Sequence, residues 1–175
     1  MRRRWLVIAH VVGLICFSSA QFLGWLSPGG VIRFFAEPAG YVAALFLGAP
    51  VDASSGTVQL LHPRIDIAIT DACSGFDFFS LVLALWVGWM VYCFQGSMRR
   101  YLWLFMVLPS AWLITLLGNV SRIVCATHAR LLTPPSLSSS FDGIIHQSVG
   151  VVVFLSVLIL FWKILTKYYE RNCRA

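Results

Sequence analysis

Three side chains in this sequence belong to types that carry out acyl transfer together: Cys73, Arg122 and His146. A thiolate is a strong nucleophile, an imidazole accepts and donates protons near neutral pH, and a guanidinium stabilises a developing oxyanion. The three residues are far apart in the sequence. The elements that position them therefore decide whether they meet.

Each of the three lies in a short polar block beside an apolar run: 71–75 (DACSG), 119–123 (NVSRI) and 146–150 (HQSVG). Cys73 is predicted at the N-terminus of a helix, where the helix dipole favours the thiolate. Arg122 and His146 are predicted at the ends of two further helices, on the same side of a membrane. An arginine at that depth is costly to bury, so it marks a candidate functional site.

Composition places the chain in a bilayer. The 175 residues are 59% hydrophobic and 11% charged, with a mean hydropathy of +0.81, and a soluble domain of this size cannot bury that much apolar surface. The net charge of +6 rests on too few basic residues for a nucleic-acid-binding face. The five cysteines include no CxxC pair. We therefore predict neither a zinc site nor any other metal or cofactor.

The hydropathy pattern predicts an all-α integral membrane protein that forms a single membrane domain over 1–175. Segment 31–48 is apolar but carries Arg33, Glu37 and Pro38, which favour an interfacial or re-entrant helix on the outer face. Four other runs are long enough to cross a bilayer. These predicted transmembrane helices are 5–25, 76–95, 101–120 and 144–165.

The basic residues orient these spans. With four crossings, the N-terminus, the 99–100 loop and the C-terminal tail share one side, which then holds 9 of the 13 basic residues. By the positive-inside tendency that side is cytoplasmic. The chain is thus predicted in the cell membrane with both termini inside, and Cys73, Arg122 and His146 on the outer face.

Two outer connections complete the prediction. Residues 57–70 alternate between apolar and polar side chains around His62 and Pro63, a pattern typical of a small β-hairpin. Residues 125–141 contain two prolines and a serine run. This composition predicts a polar loop.

Taken jointly, the blocks Ala72-Cys73-Ser74-Gly75, Asn119-x-x-Arg122-Ile123 and His146-x-x-x-Gly150 resemble the exosortase/archaeosortase family of membrane-embedded cysteine transpeptidases. The resemblance covers roughly Val51 to Trp162, and the small size is similar to short bacterial forms such as exosortase K. Larger members carry more spans before this core. Phe76-Asp77-Phe78-Phe79 also departs from the small or basic residue that many members have after the Cys block.

The resemblance implies that Cys73, Arg122 and His146 are catalytic. It implies a cysteine protease or transpeptidase that acts on exported proteins bearing a C-terminal motif, a transmembrane helix and a basic cluster. The acceptor that receives the cleaved protein is not specified. Supporting roles in oxyanion stabilisation or orientation are assigned to Ser74, Gly75, Asn119 and Asp77.

Other functions remain open from the residues alone. Cys73 and Cys125 would be the working pair of a four-helix membrane thiol oxidoreductase, although such enzymes use two outer pairs. His10, His128 and His146 are the candidates for a haem bundle. A non-enzymatic membrane scaffold would explain the hydropathy but not the three blocks.

Overall fold

The computed structural model describes residues 2–53, 58–63, 65–69, 73–94, 104–133 and 135–172. It is mostly helical with one small sheet, as predicted. The helices are α1 (Arg2–Leu26), α2 (Pro28–Val31), α3 (Glu37–Leu47), α4 (Phe76–Phe94), α5 (Leu104–Leu132) and α6 (Pro135–Asn172), and a π-helical turn, Ile32–Ala36, joins α2 to α3. The strands are β1 (Val51–Asp52), β2 (Val58–His62) and β3 (Ile65–Ile69).

Within these described ranges, four helical stretches are long and apolar enough to cross a membrane. Pro28–Leu47 is among them, whereas α4 contributes a shorter apolar stretch, Phe76–Tyr92. The ends of the predicted spans 76–95 and 101–120 lie partly outside the described residues. The interfacial assignment of 31–48 stays a prediction. The four stretches are Arg4–Leu26, Pro28–Leu47, Phe105–Leu132 and Gly143–Lys167.

The predicted β-hairpin is present. β2 and β3 pair antiparallel, with Leu60 opposite Ile67, and in β2 buried Val58 and Leu60 alternate with exposed Gln59 and Leu61, as expected for a strand with one buried face. The sequence did not reveal β1, a two-residue strand that pairs with β2 to make the sheet three-stranded.

The predicted loop over 125–141 is wrong. α5 continues to Leu132, and α6 begins at Pro135. The hydroxyls of Thr127 and Thr133 donate to carbonyls one turn earlier in α5, so these polar residues are satisfied inside a helix. Proline at the first position of a helix is favourable, because its missing N–H has no helical partner there.

The described chain divides into two compact units, each built from separate stretches. The first, called the α1–α4 unit here, comprises Met1–Leu26, Phe76–Thr115 and Leu158–Ala175. The second, called the Cys73 unit, comprises Ser27–Gly75 and Leu116–Val157. Helices α5 and α6 contribute to both. The prediction of a single membrane domain stays a prediction.

The core of the Cys73 unit lies between α3, the hairpin and α5. α3 and the preceding turn present a stripe of small buried residues, Ala36, Ala39 and Ala43, which lets the helix come close to the sheet. Val58, Leu60 and Ile69 of the hairpin and Val120 and Ile123 of α5 complete this cluster, and Cys73 packs against it. The core therefore fixes the part of α5 that carries Asn119 and Arg122.

In the α1–α4 unit, α1 and α4 pack antiparallel. A side chain at Gly13 would lie 3.1 Å from the Ala84 carbonyl oxygen, and one at Gly88 would lie 3.0 Å from that of Ala9, so these glycines permit close approach of the two backbones. Near the other end of the pair, Gln21 Nε2 donates a hydrogen bond of 3.1 Å to Asp77 Oδ1.

Candidate active site

The thiol of Cys73 and the imidazole of His146 are in contact in the Cys73 unit. Cys73 Sγ lies 3.2 Å from His146 Nε2, and both side chains are half-buried. The Cys73 sulfur is a thiol and not part of a disulfide. At this separation the imidazole can take up the thiol proton directly, which is the arrangement that activates a cysteine nucleophile.

The backbone around Cys73 is held from α5. Arg122 Nη2 donates to the Cys73 carbonyl oxygen at 3.0 Å. Asn119 Nδ2 donates to the same oxygen at 3.1 Å and to the Ser74 carbonyl oxygen at 2.8 Å. Asn119 and Arg122 are three residues apart on one helix, so they lie on one face. We call this pair the carbonyl clamp.

Gly75 is required by the clamp for two reasons. Its φ of +81° lies in the region that residues with a side chain rarely adopt. A Cβ at this position would also lie 3.2 Å from Asn119 Cγ. The glycine of the DACSG block therefore lets the chain turn directly against the clamp residue.

Arg122 is a buried cation, with 7% of its surface exposed. Its Cζ lies 5.4 Å from the centre of the Phe154 ring, a distance at which the ring face attracts a guanidinium. Within the described part of the chain, the partners of Arg122 are thus a carbonyl and an aromatic ring. A buried charge that pairs with none of the described carboxylates is costly on these contacts alone, so Arg122 is a candidate functional residue.

The clamp also contains unsatisfied polar atoms. Among the described residues, Asn119 Oδ1 and Arg122 Nε are the buried side-chain polar atoms with no hydrogen-bond partner. Each such atom costs on the order of 1–3 kcal/mol. Native proteins keep violations of this kind mainly at functional sites, so their location beside Cys73 marks this region independently of the sequence blocks.

One face of α6 contacts both the Cys73 thiol and the Arg122 side chain. His146, Gly150 and Phe154 are spaced at i, i+4 and i+8, which aligns them on a helix. His146 contacts the Cys73 thiol, Phe154 lies over Arg122, and a Cβ at Gly150 would lie 3.2 Å from Arg122 Cδ. The alignment couples the position of the imidazole to that of the guanidinium.

This contact predicts a contrast between two glycines of α6. Gly143→Ala should stabilise the protein by about 0.5–1 kcal/mol through helix propensity, since a Cβ there meets no atom within 4 Å. Gly150→Ala should lose that gain, because its Cβ presses on the Arg122 side chain. Thermal unfolding in detergent measures both effects. Equal stabilisation by the two substitutions would contradict the tight contact.

The structure brings together most of the residues predicted from the sequence. Cys73, Ser74, Gly75, Asn119, Arg122 and His146 all belong to the Cys73 unit. Asp77 belongs to the α1–α4 unit, where its carboxylate accepts the hydrogen bond from Gln21. The predicted orienting role of Asp77 toward Arg122 or His146 stays a prediction.

Two predicted positions need correction. Arg122 is not at a helix end, since α5 continues ten residues beyond it to Leu132. His146 is not at a helix start either, since α6 begins at Pro135. Phe154 was missed altogether. The one sequence signal that could have identified Phe154 is its spacing of eight residues, about two helical turns, from His146. Any apolar helix produces such a spacing by chance.

Two other candidates of the sequence analysis, Cys125 and His128, lie elsewhere on α5. Cys125 is exposed, and the exposed His128 bonds through Nδ1 to the Val124 carbonyl of its own helix. Among the described residues, no group of three or more His, Cys, Asp or Glu side chains could hold a metal ion. Asp71 lies outside the described residues.

Comparison with known proteins gives no match: no family model, no curated protein and no solved structure matches this chain.

Proposed function

We propose that this chain is a membrane-embedded cysteine peptidase or transpeptidase of the exosortase type. It acts at the outer face of the cell membrane on exported proteins that end in a motif, a transmembrane helix and a basic cluster. The observation that carries the proposal is the 3.2 Å contact between Cys73 Sγ and His146 Nε2 beside the clamp that holds the Cys73 carbonyl.

The first step is attack by the thiolate. His146 Nε2 takes the proton from the Cys73 thiol, and the sulfur adds to the scissile carbonyl carbon of the substrate. The electron pair of that carbonyl moves onto its oxygen. Arg122 places positive charge beside this developing oxyanion, because the guanidinium uses Nη2 on the Cys73 carbonyl and retains further N–H donors.

The second step releases the C-terminal tail. His146 returns its proton to the leaving amine nitrogen as the carbon–nitrogen bond breaks, which leaves a thioester on Cys73. An amine or hydroxyl of the acceptor then attacks the thioester, giving transpeptidation, or water does so, giving hydrolysis. In either case the attacking group passes its proton to His146, and the thiolate departs and is reprotonated.

The membrane arrangement belongs to the same proposal. The spans are 5–25, 76–95, 101–120 and 144–165, and Val31–Gly48 lies at the outer interface. The hairpin supports this placement of α3, because an open three-stranded sheet has edges that hydrocarbon cannot satisfy, and the small-residue face of α3 packs against that sheet. The positive-inside distribution of basic residues supports cytoplasmic termini.

The proposal predicts a covalent intermediate. The chain is co-expressed with a secreted reporter carrying a motif, a transmembrane helix and a basic tail, and purified protein is analysed by intact and peptide mass spectrometry. The expected result is a hydroxylamine-sensitive adduct on Cys73 and loss of the reporter tail.

The matched control for this experiment is Cys125→Ser, since Cys125 is an exposed cysteine on α5. The adduct and tail removal should persist in this variant, whereas a Cys73/Cys125 thiol oxidoreductase would stop working. Reporters of this design with varied motifs that show neither adduct nor tail removal would overturn the peptidase proposal and favour a scaffold.

A further inference from the structure

A second feature of the chain lies in the α1–α4 unit, outside the candidate active site. α1, α4 and α6 line a partly open cavity of about 640 Å³, a size typical of small-molecule sites. Along α1 the lining runs from Leu6 to Phe17, and along α4 it runs from Leu81 to Tyr92. Each stretch is about 16 Å long at the helical rise of 1.5 Å per residue.

The cavity is lined almost entirely by apolar surface, with His10, Tyr92 and Thr166 among its few polar side chains. Because α1 and α4 are antiparallel, with Ala9 beside Gly88, His10 and Tyr92 lie toward one end and Phe17 and Leu81 toward the other. His10 Nδ1 lies 2.7 Å from the Leu6 carbonyl oxygen. A carbonyl only accepts, so Nδ1 carries a proton and donates it to this bond, and Nε2 is the ring nitrogen left to bond a ligand.

Basic side chains lie beside the lining residues of α1 and α6. Phe161 of α6 packs edge-on against Trp86 at 5.2 Å, and the next residues of α6 that line the cavity are Trp162 and Thr166. Lys163 and Lys167 are their direct sequence neighbours, and both are exposed. Arg4, also exposed, precedes His10 by under two turns of α1. The described charged side chains next to the lining of α1 and α6 are thus all basic.

Charge disfavours a substrate tail as the occupant. A tail with a basic cluster would meet like charges at Arg4, Lys163 and Lys167. Extended acyl chains carry no charge of their own.

We propose that this cavity binds an anionic phospholipid, phosphatidylglycerol, independently of the peptidase function. Its acyl chains lie along α1 and α4, and its phosphate lies at Arg4, Lys163 and Lys167. The glycerol hydroxyls of this headgroup supply donors for His10 Nε2. Phosphatidylcholine has the same acyl chains but neither the net charge nor these hydroxyls, so it should be selected against.

The test uses the full chain in vesicles made of equal amounts of phosphatidylglycerol and phosphatidylcholine. The protein is extracted in mild detergent and purified, and the lipid that remains bound is quantified by mass spectrometry. The expected result is about one phosphatidylglycerol per chain and at least fivefold enrichment over phosphatidylcholine, the effect of one or more basic residues at an anionic headgroup. Equal retention of the two lipids, or a haem absorbance band in the purified protein, would overturn the proposal.

Substitutions in the cavity lining test where the lipid binds. Leu85→Trp and Leu14→Trp fill the cavity from α4 and α1, and either should abolish retention. Val11→Trp is the matched control, because Val11 is exposed on α1 and does not line the cavity; it should retain the lipid. Size-exclusion chromatography establishes which variants fold, and a folded cavity-filling variant that keeps its phosphatidylglycerol contradicts the site.

The lysines provide a test that leaves the cavity intact. Lys163→Gln combined with Lys167→Gln should lower the enrichment of phosphatidylglycerol over phosphatidylcholine by about fivefold per lysine. Arg33→Gln, which alters an exposed cation of the Cys73 unit, should leave it unchanged. Unaltered enrichment in the double variant would show that the basic residues do not bind the headgroup.

Discussion

His146→Ala and Cys73→Ala should each lower the rate of substrate processing by about 10³-fold or more while the protein remains folded. Cys73→Ala removes the nucleophile itself. His146→Ala removes the group that lies 3.2 Å from the thiol, and with it both the acceptor of the thiol proton and the donor to the leaving amine. The measurement is cleavage of a reporter with a C-terminal sorting tail, followed over time by immunoblotting of membranes.

The controls for this pair are His128→Ala and Cys125→Ser, which replace the same residue types at exposed positions on α5. Both should process the reporter at the wild-type rate. Equal abundance in the membrane and equal thermal unfolding show that the inactive variants are folded. Full processing by Cys73→Ala would end the peptidase hypothesis.

Arg122→Lys should lower processing by about 10²–10³-fold even though it keeps the positive charge. The guanidinium donates from Nη2 to the Cys73 carbonyl while its Cζ lies 5.4 Å from the Phe154 ring centre. An ammonium is a point charge on a flexible chain and does not reproduce both contacts. The Cys73 carbonyl also loses a donor, so we expect a loss of about 1–3 kcal/mol in stability.

Two further variants show how the result for Arg122→Lys should be interpreted. Arg33→Lys makes the same replacement at an exposed position of the same unit and should have no effect. Phe154→Leu removes only the aromatic face and leaves the hydrogen bond possible, so it should reduce processing by about 2- to 30-fold, which corresponds to about 0.5–2 kcal/mol for such a contact. Wild-type activity in Arg122→Lys would mean that charge alone suffices and that the clamp geometry is irrelevant to the reaction.

Local sequence patterns predicted the fold correctly where a single physical cause, such as burial of one face of a strand, sets the pattern. Alternation of apolar residues in 57–70 revealed the hairpin, because one of its faces is buried against α3. The same rule failed for β1, since a two-residue strand has no period to detect. In 125–141, polar composition suggested a loop, but the hydroxyl groups of Thr127 and Thr133 bond within α5, so polarity there does not indicate exposure to water.

The candidate site was predictable in its residue types but not in its contacts. Cys73, Arg122 and His146 stand out because their chemistry is rarely found in apolar runs. That Arg122 and Asn119 hold carbonyl groups of the Cys73 loop depends on how α5 is placed by Val120 and Ile123 in the core. No local pattern encodes that tertiary packing.

The carbonyl clamp has a practical consequence for finding the substrate. Asn119 and Arg122 grip the main chain at Cys73 and Ser74 rather than the sulfur, so the loop should keep its shape whichever side chain stands at position 73. Under the proposed function, a chain with alanine there would retain the surface for the sorting tail but would not form the thioester. Immobilised in nanodiscs, such a variant should retain bound substrate proteins long enough for them to be isolated and sequenced.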